Sequence, residues 1–330
     1  MTRGPKPTAI GIIVKEYLKK YRSLSSRKIG DLLCTDYPLD FKTSEYGRRM
    51  VRYYRGASGD QDRNKMAEES YLPRFSVPSS DETVFDPYVI PIDAYPIIAG
   101  GDVHIPYHDQ DALEIFLERA YSTGANTLLM AGDWLDMYQV SRWNKDPNLR
   151  SVKEELDIFN SVLDMIQREL PDTKLIFKIG NHEARFDNYL MQNAPDLYGL
   201  EQIRLKNILK LADRGIDLVA DKQLIKYGHL HILHGHEYVF SISNPVNPAR
   251  GLYNRAKKSS LCFHHHQTSE HTEPSINGDV DTCWSVGCLC GLRPDYMPYN
   301  KWNHGFVEIN GNDDGEFLVE NRRIVNYKIM

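Results

Sequence analysis

The 330-residue chain has no uninterrupted apolar stretch near the ~20 residues that a membrane-spanning helix requires, so no membrane helix is expected. Its first residues lack the apolar core of a secretory signal, which predicts a cytoplasmic protein. Cysteine is scarce and odd in number: Cys34, Cys262, Cys283, Cys288 and Cys290 form no even disulfide framework, as suits a reducing compartment. Cys288-Leu-Cys290 lacks the two-residue spacer and fourth ligand usual in zinc sites, so these thiols read as free and buried. No internal repeat or long low-complexity tract appears, so nothing points to a repeat array. What is present, 41% hydrophobic and 26% charged residues, is the composition of a soluble globular protein. The length allows one large domain or two.

The net charge of −5 is unevenly spread. Residues 1–55 carry 13 Lys and Arg against 5 Asp and Glu, a net +8, while the other 275 carry 27 against 40, a net −13. Such asymmetry is the usual footprint of contact with nucleic acid or another polyanion. Apolar spacing predicts three helices here, over 8–21, 27–34 and 45–55, with Ser25 or Ser26 capping the second and Ser44 the third. The last carries Arg48, Arg49, Arg52 and Arg55 interleaved with Tyr46, Met50, Val51 and Tyr54. A small basic tri-helical unit resembles a helix-turn-helix or winged-helix DNA reader. The alternatives are a solvated basic face or a docking module for an acidic protein. Residues 56–91, rich in turn formers and aperiodic, read as a linker, which leaves 92–330 as a second, larger domain with a β-rich tail.

From residue 92 strands and helices alternate, the pattern of a layered α/β fold. Five of the strands end in Asp, Asn or His. Tyr95–Ala99 leads to Asp102-Val-His104, and Thr127–Ala131 to Gly132-Asp133-Trp-Leu-Asp136. Leu175–Ile179 leads to Gly180-Asn181-His182-Glu183, and Leu230–Leu233 to His234-Gly-His236. Ser260–Phe263 leads to His264-His-His266. Open α/β sheets place their chemistry at such carboxyl ends. Carboxylate, imidazole and amide donors without thiolate suit hard-to-borderline divalent metals. Asp102 and His104 stand at i and i+2, as do His264 and His266. On extended segments both members of each pair would project to one side. Asp133 can offer one oxygen to each of two metals, Asn181 a neutral carbonyl and His234 another imidazole. His182, next to a ligand, points past the metals toward a leaving oxygen. Asp136 is placed to hold the other nitrogen of that ring. Arg185 is placed for a phosphate oxygen, and His236 for the substrate or for support of the ligands.

This set resembles the calcineurin-like metallophosphoesterase superfamily, whose order is Asp-x-His, Gly-Asp-x-x-Asp, Gly-Asn-His-Asp/Glu, His, Gly-His-x-His. The resemblance covers roughly residues 93–310. It implies a four-layer α/β/β/α sandwich and a phosphoesterase with two divalent metal ions. Manganese comes first, with iron, zinc or nickel as alternatives. One metal would be held by Asp102, His104, Asp133 and His266, the other by Asp133, Asn181, His234 and His264, with His182 as general acid. Phe263 departs from the glycine usual before the last paired histidines. Met137 stands where Ser/Thr phosphatases carry a phosphate-binding arginine, which argues against a protein phosphatase. The expected function is a nucleic-acid phosphodiesterase or nuclease guided by residues 1–55. The alternatives are a phosphomonoesterase and a non-catalytic DNA- or protein-binding adaptor.

Overall fold

A computed structural model describes residues 9–55, 86–238, 246–312 and 314–330. The chain divides into two compact units, Met1–Glu82 and Thr83–Met330. In the first, α1 (Ala9–Lys20), α2 (Ser26–Asp36) and α3 (Ser44–Tyr54) bury Val14, Ile29, Leu33, Phe41 and Val51 against one another. Ser25 Oγ accepts from Lys28 N at 3.2 Å and caps α2. Thr43, rather than Ser44, caps α3, its hydroxyl accepting from Tyr46 N at 3.2 Å. Ser44 already has helical backbone, so its neighbour supplies the cap.

The second unit is built on two sheets. One holds β2 (Ile97–Gly100), β3 (Thr127–Met130), β4 (Lys174–Lys178), β5 (Asp217–Val219), β11 (His304–Gly311), β12 (Phe317–Val325) and β13 (Lys328–Ile329), in the spatial order β13-β12-β11-β2-β3-β4-β5. Strands β2 to β5 are parallel and β11 to β13 extend the sheet antiparallel. The other holds β1 (Tyr88–Ile90), β6 (Ile225–Tyr227), β7 (Leu230–Leu233), β8 (Ser260–Cys262), β9 (Ser269–Pro274) and β10 (Val280–Ser285), in the order β1-β6-β7-β8-β10-β9.

The two-residue period of a strand decides which layer each side chain joins. Ile98, Leu128, Met130, Leu175 and Phe177 face Phe116 of α4 (Gln110–Ser122) and Phe159 of α5 (Val152–Glu169). Their alternates Ile97, Ala99, Leu129 and Ile176 face Ile225, Leu230, Ile232 and Leu261 of the other sheet. On that sheet's far side, Leu233, Cys262 and Cys283 pack against Ala249 and Leu252 of α7 (Pro248–Ala256). The order is helices, sheet, sheet, helix, as the four-layer expectation has it. Helix α6 (Ala184–Asn193) follows β4. Among the described residues no helix is long and apolar enough to cross a membrane.

One expectation is corrected, and one hairpin has no sign in the sequence. The linker reading of 56–91 took in β1, which pairs parallel with β6 from Tyr88↔Ile225 to Ile90↔Tyr227; residues 56–85 lie outside those described. A three-residue edge strand carries too few side chains to show a period. The β9–β10 hairpin also went unread, because Ser269–Pro274 (SEHTEP) is polar throughout and holds its place by pairing with β10.

Candidate metal centre

The segments that leave β2, β3, β4, β7 and β8 bring their polar side chains together. Asp102 Oδ1 lies 3.3 Å from His266 Nε2 and 3.9 Å from His234 Nε2. His104 Nε2 is 3.4 Å from His266 Nε2. Asp133 Oδ2 is 3.2 Å from His234 Nε2. Donor atoms of Asp133, His234 and His264 fall within 4.8 Å of one another, as do those of His104, Asp133 and His182. Asp133 belongs to both groups. His264 N donates to Asp102 Oδ2 at 2.8 Å, tying the histidine run to the first segment.

The geometric reason expected for the paired ligands is overturned. Asp102 and His104 have φ of 53° and 52°, and His264 and His266 have 70° and 57°, so neither pair lies on extended backbone. All four are left-handed. Of the ten non-glycine residues with positive φ among the described residues, six are Asp102, His104, Asp133, Met137, His264 and His266. Each costs on the order of 1–3 kcal/mol unless its surroundings hold it, and such strain collects at functional sites.

Glu183 is a large part of what holds it. Its buried carboxylate accepts from Asp133 N at 3.0 Å, Leu135 N at 2.9 Å and Gly180 N at 2.9 Å, joining the β3 and β4 ends. Gly180 must be glycine, since a Cβ there would stand 2.3 Å from Asp133 Oδ1. A buried ion pair ties the two sheets together: Lys178 Nζ lies 2.9 Å from Glu237 Oε1, and that carboxylate accepts from Gly235 N at 2.6 Å and His234 N at 3.1 Å. Burial pushes the Glu237 carboxyl up, but Lys178 first, then His236 and His234, bring it down to about 2.

The hydrogen bonds fix the tautomers. His234 Nδ1–H donates to Ala131 O at 2.9 Å, which leaves a lone pair on Nε2 facing Asp133. His104 Nδ1 is 3.1 Å from Asp136 Oδ1, which leaves its Nε2 toward His266. His182 Nδ1 reaches both Asp136 O at 2.9 Å and Asp136 Oδ1 at 3.2 Å. Asp136 thus orients two imidazoles, where one was expected. Arg185 donates from NH1 to Asp136 O at 2.8 Å and from NH2 to His182 Nε2 at 2.7 Å. Burial is the largest cause holding the His182 imidazole below its ordinary value.

The cluster's electrostatics favour added positive charge. Burial alone would neutralise its groups, yet Asp133 and then Asp102 pull His234 up to about 10, and Asp102 pulls His266 up to about 10. His266 and His234 hold the Asp102 carboxyl well below its usual range despite burial. His234, His182 and His104 do the same for Asp133. Three of the cluster's buried atoms have no hydrogen-bond partner: Asp102 Oδ1, Asn181 Oδ1 and His234 Nε2. Each unpaired buried polar atom costs about 1–3 kcal/mol. Asp102 Oδ1 and His234 Nε2 lie 3.9 Å apart, so a divalent cation that displaced the His234 proton would satisfy both, and the N and O donors suit a hard-to-borderline ion.

His236 stands beside them, its ring centroid 5.3 Å from that of His234 and 6.3 Å from that of His264, while its Nε2 meets Asp221 Oδ1 at 2.6 Å. Sequence reasoning missed Glu183, the Lys178–Glu237 pair and Glu155, whose buried carboxylate accepts from Met137 N at 2.7 Å. It also missed Cys290, whose Sγ lies 3.7 Å from His266 Nδ1 and which forms a third donor group with His104 and His266. The sign that could have found Glu155 and Lys178 was a charged residue on the apolar face of a helix or inside a buried strand.

No protein-family profile and no curated protein matches the chain. Similar solved structures belong to the calcineurin-like metallophosphoesterase fold. They include a Vps29 single mutant from Entamoeba histolytica, at 15% identity over 71% of this chain and 95% of that one, TM-score 0.36. A dimetal phosphatase from Danio rerio aligns at 10% identity over 70% and 96%, TM-score 0.34. The E. coli phosphoesterase Yfce aligns at 13% over 67% and 96%, TM-score 0.31. At these scores the likeness carries no argument; the layers and the donor cluster speak for themselves.

Proposed function

We propose that the chain is a divalent-metal-dependent hydrolase of phosphodiesters and that its substrate is nucleic acid. Asp102, His104, Asp133 and His266 would hold one cation, and Asp133, Asn181, His234 and His264 the other. The observation that carries this reading is a pair of buried atoms without hydrogen-bond partners, Asp102 Oδ1 and His234 Nε2, 3.9 Å apart beside a carboxylate common to two donor groups. Bound cations would activate water and neutralise charge on the phosphoryl group during in-line displacement.

The chain's own residues supply the rest. His182 gives a proton to the leaving oxygen. Asp136 holds Nδ1, so Nε2 is the transferring atom, and Arg185 meets it. An incoming phosphate oxygen competes for the Arg185 N–H groups through charge-assisted bonds, which frees Nε2 to take up a solvent proton and pass it to the leaving oxygen. In the first unit, Arg27, Arg48, Arg52 and Arg55 line a groove with Ser25 and Ser26, and this supports contact with a phosphate backbone.

The test is hydrolysis of bis-p-nitrophenyl phosphate and p-nitrophenyl phosphate with Mn²⁺, alongside labelled single- and double-stranded DNA, RNA and mononucleotides. The diester and a polymer should be cut, and Asp133→Asn should abolish both. Cleavage of the monoester alone would remove the nucleic-acid reading; no turnover with any divalent metal would remove the hydrolase.

A further inference from the structure

A cavity of about 530 Å³ opens beside the metal centre, with His104 and Asp136 in its lining. That volume lies within the range of small-ligand sites. Four aromatic side chains line it, Tyr107, Tyr138, Tyr296 and Trp302, and Arg293 and Asp295 line it too. The rings are held differently. Tyr107 sits on a turn pinned at both ends, its N bonded to His104 O at 2.6 Å and its O to Gly291 N at 2.9 Å. Trp302 packs on the ligand histidine, with ring centroids 4.1 Å apart from His266, and Tyr296 stands edge-on to Trp302 at 6.3 Å. Yet Tyr107 and Tyr296 remain 43% and 75% exposed. Large aromatic faces held open to water beside a catalytic centre are poor packing and good stacking surfaces.

We infer that this cleft receives one unpaired nucleobase of the substrate, so that the enzyme acts on single-stranded or frayed nucleic acid rather than on an intact duplex. The inference rests on the proposed phosphodiesterase reading and specifies its substrate. Whatever fills the cleft must be joined to the phosphorus at the metal centre, because His104 and Asp136 line both. A base attached through its sugar meets that requirement, and a stacked, paired base does not, since its faces are covered by neighbours. Stacking on aromatic rings is indifferent to sequence, because every base offers a π-face. Arg293 adds a cation for the phosphate of the adjoining nucleotide.

The experiment compares thymidine 5′-(p-nitrophenyl phosphate) with methyl p-nitrophenyl phosphate on the full chain, wild type and Tyr296→Ala, with Mn²⁺. The ratio of kcat/KM for the thymidine ester over the methyl ester should fall about tenfold in the variant, within the usual cost of losing one stacking ring. An unchanged ratio overturns the inference. Binding of thymidine 5′-monophosphate by calorimetry in EDTA gives a second readout that needs no turnover. It should weaken about tenfold in Tyr296→Ala and be restored in Tyr296→Phe. No difference between wild type and Tyr296→Ala, or tighter binding of O-phosphotyrosine than of the nucleotide, overturns it. If neither ester is hydrolysed while the nucleotide binds as described, the hydrolase reading fails and the base site stands.

Discussion

Replacing Glu183 by glutamine keeps the shape of the side chain and inverts one of its two acceptors. Glu183 Oε2 accepts from Asp133 N and Gly180 N, and Oε1 accepts from Leu135 N. An amide can present its oxygen to the first two donors, but its NH₂ then faces Leu135 N–H with no acceptor between them. One buried donor pair left unsatisfied costs about 1–3 kcal/mol, and loss of the charge weakens the two surviving bonds. The expected total is about 3 kcal/mol of unfolding free energy, from urea unfolding measured in EDTA. Because the same bonds hold Asp133 at φ 53°, metal affinity should fall roughly 10–100-fold, as it does when groups supporting metal ligands are removed. Calorimetric titration with Mn²⁺ reads the second effect. A stability change under ~0.5 kcal/mol with unaltered metal affinity would refute the claim that Glu183 holds the strained ligand segments in place.

Lys178→Met leaves Glu237 buried without its cation and should destabilise the fold by about 3–5 kcal/mol; adding Glu237→Gln should recover much of the loss, as read by unfolding of the single and double variants. Burial pushes the Glu155 carboxyl up to about 8 from 4.5, so the folded chain keeps a proton that the unfolded chain has released. Stability from this group is therefore lost as pH rises from about 4.5 toward 8, and Glu155→Gln, which still accepts from Met137 N, should gain on wild type over that interval by on the order of 3 kcal/mol in unfolding experiments. Equal pH profiles for the two proteins would contradict it. Arg48→Gln with Arg52→Gln should weaken DNA binding at every sequence alike and reduce the steepness of its salt dependence by about 0.9 for each phosphate left unneutralised.

The layers were legible because their cause is local. The apolar runs at Ile97–Gly100 and Thr127–Met130, buried at every position, mark a sheet covered on both faces, and the polar residues after them mark its carboxyl edge. The gathering of donor side chains was legible for the same reason, through residue type and order. Their backbone was not. Spacing of i and i+2 fits an extended strand and a pair of left-handed residues equally well, and only tertiary bonds, from Val103 N and His104 N to Asp133 O and from His264 N to Asp102 Oδ2, select the second. Nor could sequence show that Asp221, 15 residues earlier, would take the ring of His236. Arg185 was expected at a phosphate; in the structure it rests on His182 Nε2, a contact that depends on how α6 leaves Glu183. Glu183 itself lay within the quoted motif but had no role, because its partners are backbone N–H groups, which every residue but proline has.

The central claim is a two-cation centre, and the most direct measurement is the number of divalent ions bound per chain, by elemental analysis of protein equilibrated with Mn²⁺ and freed of excess. The account predicts two for the wild type, and a loss of both sites in Asp133→Asn, because that carboxylate belongs to both donor groups. A wild-type chain that retains no ion, or an Asp133→Asn variant that still retains two, would contradict it.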